Sequence, residues 1–370
     1  MKDKEYPVVQ FLRPDGSFCP SETAEPFLSH AQSLDVEDIQ RFYRDIILVR
    51  QIDHEAALLQ RRGELALWPP VYGQEASQIG ATYACSENDM IFPSYRDHAV
   101  MHARGIDLVH IAKLFRGASN NDWDVRQHKV WGYTLCIGAQ VLHSTGYAIG
   151  IVLERQMSCT DDNSGYPEAV MVWFGDGASS QGDVSESMVF AARYQTPQVF
   201  MLQNNQYAIS VPASVPSAAC PLYKRGYGFG IPGIRIDGND VIAAYAVVRE
   251  YMDRARSGKG PHLIEAFTYR LGAHTTSDDP TRYRSEDEHR EWLALDPIIR
   301  LERYLFSLGV EKTWFDRIRA DIQLSVIGFR NAVLSIPQPD TKKIFDNVYS
   351  AYHPLVSSQS AHLLGLTESR

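Results

Sequence analysis

Three short apolar runs set the tightest limit on what this chain can fold into. They are AVMVWF (169–174), VFMLQ (199–203) and LIEAFTY (263–269). AVMVWF, bounded by Glu168 and Gly175, has no alternating polar position and so no face to give to water. That pattern predicts a strand buried on both sides. Between the runs lie helix-like stretches at 183–194 and 241–256, the second closed by Gly258-Lys259-Gly260-Pro261. Strand and helix patterns alternate in this way from about 73 to 275. The expectation is an α/β fold with a mostly parallel sheet flanked by helices.

The flanking segments read differently. Residues 1–34 carry Pro7, Pro14, Gly16, Pro20 and Pro26 and are expected to form an irregular arm. From Asp35, a candidate N-cap, Ile39, Phe42, Ile46, Val49, Ile52, Ala56 and Leu59 recur at three- and four-residue steps until Gly63. This spacing predicts an amphipathic helix over 35–63. The α/β domain then occupies 64–295, C-terminal helices 296–336 and a weakly patterned tail 337–370. The segment 154–168 is polar and turn-rich. Its Asp161 and Asn163 lack the glycine spacing of a calcium loop, so it reads as a solvated loop.

Bulk properties exclude several classes. A net charge of −9 argues against a general nucleic-acid binder. The five cysteines (Cys19, Cys85, Cys136, Cys159, Cys220) are odd in number and never form Cys-x-x-Cys, which fits a reducing compartment rather than a disulfide or zinc framework. No apolar stretch approaches membrane-spanning length and the N-terminus has no signal-like apolar core. The expectation is a cytoplasmic protein with no membrane segment. Neither Gly-x-x-x-x-Gly-Lys-Ser/Thr nor a strand-linked Gly-x-Gly-x-x-Gly occurs, so nucleotide folds are disfavoured.

The chemistry concentrates after two of the strands. Gly175-Asp176-Gly177 follows the first, at the strand end where open α/β sheets bind ligands. Ala178 to Gly182 lead into a helix whose start favours a phosphate. Asp176 would repel that phosphate unless a divalent cation sat between them, and Mg²⁺ commonly bridges a carboxylate to a diphosphate. The next strand is followed by Gln203-Asn204-Asn205-Gln206-Tyr207, where an amide oxygen and a main-chain carbonyl could complete the ligand set.

Gly175-Asp176-Gly177 with Asn204-Asn205 about thirty residues on resembles the thiamine-diphosphate motif. GDGASSQGD with QNNQYAIS is similar, more narrowly, to alpha subunits of the first, decarboxylating component of 2-oxo acid dehydrogenase complexes. The resemblance runs over roughly 35–335 and takes in Gly73-Gln74-Glu75-Ala76, similar to a helix start of that family. It implies a thiamine-diphosphate-binding fold in which Asp176, the Asn205 side chain and the Tyr207 carbonyl ligate Mg²⁺. Gly177 and Ala178 would contact the diphosphate, as would Tyr95 and Arg96 of Ser94-Tyr95-Arg96-Asp97. In Ile137-Gly138-Ala139-Gln140, Ile137 would wedge the cofactor into a bend, and the Leu135 carbonyl would accept from its pyrimidine amino group. His274, in Tyr269-Arg270-Leu271-Gly272-Ala273-His274, stands where the family carries an essential histidine. Thr275 stands where mitochondrial relatives carry a regulatory phosphoserine and reads here as structural cover.

The resemblance also implies partners. A glutamate that activates the aminopyrimidine belongs to a beta subunit, giving an α₂β₂ heterotetramer with the cofactor between the two chains. The acyl group would pass to the lipoyl group of a partner acyltransferase. Pyruvate is the favoured 2-oxo acid, because the IGAQ and HTTSDDPTRYR segments look most like bacterial pyruvate-type chains. A branched-chain (3-methyl-2-oxobutanoate) dehydrogenase alpha subunit comes next, then an acetoin dehydrogenase alpha subunit or a non-catalytic paralogue.

Overall fold

The computed structural model describes residues 6–119, 121–158, 165–217, 221–338, 343–346 and 348–368. Its centre is a five-stranded, all-parallel sheet. The strands are β1 (Met90–Phe92), β2 (Val170–Gly175), β3 (Gln198–Asn204), β4 (Gly233–Asp237) and β5 (His262–Phe267), in the order β1-β2-β3-β5-β4. The three apolar runs become β2, β3 and β5, the middle of the sheet. The outer two strands went unpredicted, since β1 is three residues long and β4 carries two charged residues, Arg235 and Asp237, in five.

The apolar run 169–174 is divided between two cores. Val170, Val172 and Phe174 pack with α3 (Ala139–Met157) and α4 (Gly182–Tyr194). Met171 and Trp173 share the opposite core with α1 (Val36–Arg61), α2 (Glu75–Ala84) and α5 (Val241–Arg256). With a period of two, a strand facing helices on both sides must be apolar at every position. Burial of each large side chain contributes roughly 1.5–3 kcal/mol. Helices α2 and α5 approach closely at Gly80, where a Cβ would lie 2.3 Å from the Val241 carbonyl.

Asp35 caps α1: its Oδ1 accepts from Asp38 N–H at 2.9 Å, and Asp38 returns a bond to Asp35 N–H. The N-terminal segment, expected to be an irregular arm, is irregular only as far as Ser21: a 3₁₀ stretch (Glu22–Phe27) and a short helix (Leu28–Gln32) follow, and the irregular part docks along the sheet edge. Val9 exchanges main-chain hydrogen bonds with Arg235 and Asp237 of β4. The Phe11 and Leu12 N–H groups both donate to Asp240 Oδ2 at 2.7 Å. Covering an edge strand in this way removes unpaired main-chain groups. The C-terminal helical stretch is two helices, α6 (Pro297–Ser307) and α7 (Lys312–Leu334), separated at Gly309, which has φ 87°. The tail carries two more helical segments, Lys343–Asp346 and Pro354–Glu368.

Among the described residues no helix is long and apolar enough to cross a membrane. Cys19, Cys85 and Cys136 are free thiols. Asp161, Asn163, Cys159 and Cys220 lie outside the described residues.

Candidate active site

The carboxyl ends of β2, β3 and β5 open into a cleft of about 270 Å³. Asp176, Gly177 and Ala178 line it from the β2 end, and Asn205 and Tyr207 from the β3 end. Tyr95 and Arg96, Ile137 and His274 reach it from three further segments. Nine of the ten residues singled out from sequence therefore meet at one place. Leu135 is the exception: it is not among the lining residues and is 54% exposed.

The floor is polar, buried and closed on itself. Asp97 Oδ1 accepts from Gln203 Nε2 at 2.6 Å and from Gln78 Nε2 at 3.0 Å, while its Oδ2 accepts from Ser94 N–H at 2.6 Å. Gln78 Nε2 also donates to Gln203 Oε1 at 3.0 Å. Burial raises the Asp97 carboxyl to about 7, against the hydrogen bonds that lower it.

Gly175 pairs with Gln203 across β2 and β3, and Asp176 N–H donates to the Gln203 carbonyl at 3.2 Å. Asp176 is thus fixed at the strand end, 3% exposed, with its Oδ2 buried and without a hydrogen-bond partner. Burial pushes its carboxyl up to about 6, opposed by Arg270 and nearby main-chain N–H groups. A buried carboxylate oxygen left bare is costly, and a bound cation would offset that cost. Gly177 has right-handed helical angles (φ −61°, ψ −44°), so its glycine is not needed for an unusual turn. The requirement is steric, because a Cβ there would sit 2.6 Å from the Ala208 Cβ.

The two asparagines part company. Asn204 turns away from the cleft and donates to Glu265 at 2.7 Å. Asn205 faces it, donating to Gln74 Oε1 at 2.9 Å and accepting from Tyr207 N–H at 3.2 Å. An amide oxygen has two lone pairs, so Asn205 Oδ1 keeps one. The Tyr207 carbonyl accepts from Arg270 Nη1 at 3.1 Å and likewise keeps a lone pair. Positive φ at Gln206 (74°) and Ile209 (58°) folds this segment back over the cleft.

His274 is held as a neutral ring. Arg96 Nη2 lies 3.0 Å from its Nδ1 and donates to its carbonyl at 2.8 Å, with Arg270 Nη1 3.5 Å from the same Nδ1. An Arg donor facing Nδ1 leaves the imidazole proton on Nε2. Burial, then the Arg96 and Arg270 charges, lower its pKa to about 3. Asp278 Oδ2 fixes the loop by accepting from His274 N–H at 2.7 Å and from the Tyr283 hydroxyl at 2.5 Å.

The "Dehydrogenase E1 component" family model matches residues 43–326. The chain belongs to that family. It is 40% identical to the 3-methyl-2-oxobutanoate dehydrogenase subunit alpha of Mycobacterium tuberculosis over 359 residues, spanning 96% of this chain and 93% of that one. It is 36% identical to the pyruvate dehydrogenase E1 component subunit alpha of Staphylococcus aureus over 328 residues, spanning 87% and 84%. Both names belong to dehydrogenases of 2-oxo acids.

In this E1 component chain, sequence reasoning missed Gln74, Gln78, Asp97, Gln203 and Arg270 as parts of the site. Gln74, Asp97, Gln203 and Arg270 stood inside quoted motifs but had no assigned work. Arg270 is 1% exposed and donates to the Tyr207 and Ile209 carbonyls and to the Tyr283 hydroxyl. A charged residue directly after a strand predicted to be central was the available signal.

Proposed function

We propose that this E1 component chain is the alpha half of a 2-oxo acid dehydrogenase. It would take part in oxidative decarboxylation of the acid and in passing the acyl group to the lipoyl group of a partner acyltransferase. The observation that carries the reading is the bare, buried Asp176 Oδ2 in a cleft where Asn205 Oδ1 and the Tyr207 carbonyl each keep a lone pair. One carboxylate, one amide and one carbonyl are hard oxygen donors suited to Mg²⁺ carrying a diphosphate. Gly177, Ala178, Tyr95 and Arg96 would hold the diphosphate and Ile137 would support the bend of thiamine diphosphate. That cofactor supplies the electron sink that lets CO₂ leave a 2-oxo acid.

The remaining work falls to this chain's own groups. The guanidiniums of Arg96 and Arg270 keep positive charge at the cleft where an anionic cofactor and an anionic substrate meet. They also keep His274 neutral, so its Nε2–H is a donor toward the reacting oxygen or the incoming lipoyl group. Ile137 and Ile209, 49% and 56% exposed, give the cleft an apolar rim suited to cover by a beta subunit in an α₂β₂ assembly.

Pyruvate is the substrate favoured by the IGAQ and HTTSDDPTRYR segments. The 40% identity to the 3-methyl-2-oxobutanoate relative supports the branched-chain acid as a second reading. The test is co-expression with the beta partner, then decarboxylation followed with an artificial electron acceptor, with thiamine diphosphate and Mg²⁺ present. Turnover of pyruvate or 3-methyl-2-oxobutanoate is expected, and the ratio of kcat/KM values names the substrate. A stable complex that binds cofactor but turns over neither would overturn the reading.

A further inference from the structure

Arg225 lies outside the cleft, on the one-sided 3₁₀ segment Leu222–Phe229. Its guanidinium reaches back to the turn that follows Asp176 and Gly177. Nη1 donates to the Ser179 carbonyl and to Ser179 Oγ, the latter at 2.9 Å, and Nη2 donates to Ser180 Oγ at 3.2 Å. Ser179 Oγ in turn donates to the Asp176 carbonyl at 2.6 Å. One planar fork thereby ties together residues 176, 179 and 180 from a segment some 45 positions away in sequence. A second tie, Ser180 Oγ to the Pro216 carbonyl at 3.4 Å, runs the same way.

The charge is as telling as the geometry. Most half-buried arginines of this chain face a carboxylate, as Arg50 faces Glu75 and Asp296 and Arg256 faces Asp89. Arg225 has no ion pair among the described residues, and burial alone holds its pKa down. A guanidinium withdrawn from water with no counter-charge is unfavourable unless an anion comes near. The residues it grips, Ser179 and Ser180, directly follow the cleft-lining Gly177 and Ala178.

We propose that Arg225 is a positioning residue for the diphosphate end of the cleft, clamping the 178–180 turn in its receiving shape and placing an unbalanced positive charge behind it. This rests on the reading that the cleft takes a diphosphate. A brace needs the planar fork, whereas the charge needs only a cation, so the two parts separate experimentally.

The experiment uses the complex co-expressed with its beta partner, carrying Arg225→Lys or Arg225→Met. Thiamine diphosphate is titrated calorimetrically with saturating Mg²⁺ at several ionic strengths. Arg225→Met is expected to weaken binding roughly tenfold and to flatten the salt dependence of Kd. Arg225→Lys is expected to weaken it only a few-fold and to keep the wild-type salt slope. Binding by Arg225→Met within twofold of wild type overturns the proposal. So does weaker binding with an unaltered salt slope, which marks Arg225 as a brace of the fold only. If Arg225→Met does not assemble, the salt slope and affinity of Arg225→Lys decide. A wild-type complex that binds no thiamine diphosphate overturns the diphosphate reading itself, a result distinguishable from failure of Arg225 alone.

Discussion

At the floor of the cleft Gln78, Asp97 and Gln203 are 0%, 0% and 4% exposed and bonded to one another; at the rim Ile137 and Ile209 are 49% and 56% exposed. The two regions obey opposite rules. Polar groups satisfied inside one chain need nothing further, because their hydrogen bonds already offset desolvation. Apolar side chains left clustered in water beside a binding cleft invite a second surface. The contrast fits a chain that builds the diphosphate end of a site by itself and leaves the other end to a partner.

The largest effect should come from the floor side. Asp176→Ala removes the bare carboxylate and should weaken Mg²⁺-dependent binding of thiamine diphosphate by at least about a hundredfold. Calorimetry on the assembled protein checks this, and unchanged affinity removes the metal assignment. His274→Ala comes next. Turnover should fall by about 10²–10⁴ while cofactor affinity changes little; full activity would show that the histidine is not catalytic.

His274 also carries a pH prediction. Its folded pKa, about 3, lies below the ordinary 6.5, so the unfolded ring takes up a proton as pH falls through 6.5 while the folded ring does not. Its contribution to stability is therefore present above pH 6.5 and lost as pH falls toward 3. In kcat/KM no inflection from this imidazole is expected between pH 5.5 and 8. One near 6.5 that disappears in His274→Ala would break the picture of a ring held neutral by Arg96 and Arg270.

The difference between floor and rim also explains what was legible in the sequence. β2 and β3 announced themselves because burial on both faces demands apolar runs, β5 because Leu263, Ile264, Ala266 and Phe267 outweigh its one acid, Glu265, and Asp35 and Gly63 marked the ends of α1. Asp176 and Asn205 were legible because each follows such a run directly. The floor was not, because Gln78 and Gln203 are 125 positions apart and meet only through the parallel order of the sheet. Nor does any local pattern distinguish Asn204, turned to Glu265, from Asn205, turned to the cleft. β4 stayed hidden because two charges, Arg235 and Asp237, stand among its five residues; the fully buried pairing of Arg235 with Glu265 at 2.9 Å is a tertiary fact.

A rim substitution should behave differently in the two states of the protein. Ile137→Ala should leave the isolated chain within about 0.5 kcal/mol of wild type, since a half-exposed side chain loses little. In the cofactor-loaded complex the same change should cost about 1–3 kcal/mol of stability and lower turnover, because the side chain is then covered. Thermal unfolding of both forms decides. Equal losses in chain and complex would mean that the rim is ordinary surface.

The smallest effect, and the sharpest in sign, is expected at Ile209. Arg270 Nη2 holds its carbonyl at 2.6 Å while Nη1 holds that of Tyr207, and two carbonyls two residues apart reach one guanidinium only because the chain turns sharply. The result is φ 58° at a β-branched residue, a conformation that costs an L-residue about 1–2 kcal/mol. Ile209→Gly removes that strain, offset in part by the greater freedom of glycine in the unfolded chain, for a net gain of about 1 kcal/mol in the isolated chain. It also deletes an apolar side chain from the rim, so the complex should lose affinity between its subunits as the chain gains stability. Opposite signs in the two measurements would show that the strain is kept for the sake of the rim. A gain in both would show that Ile209 serves the turn and nothing beyond it.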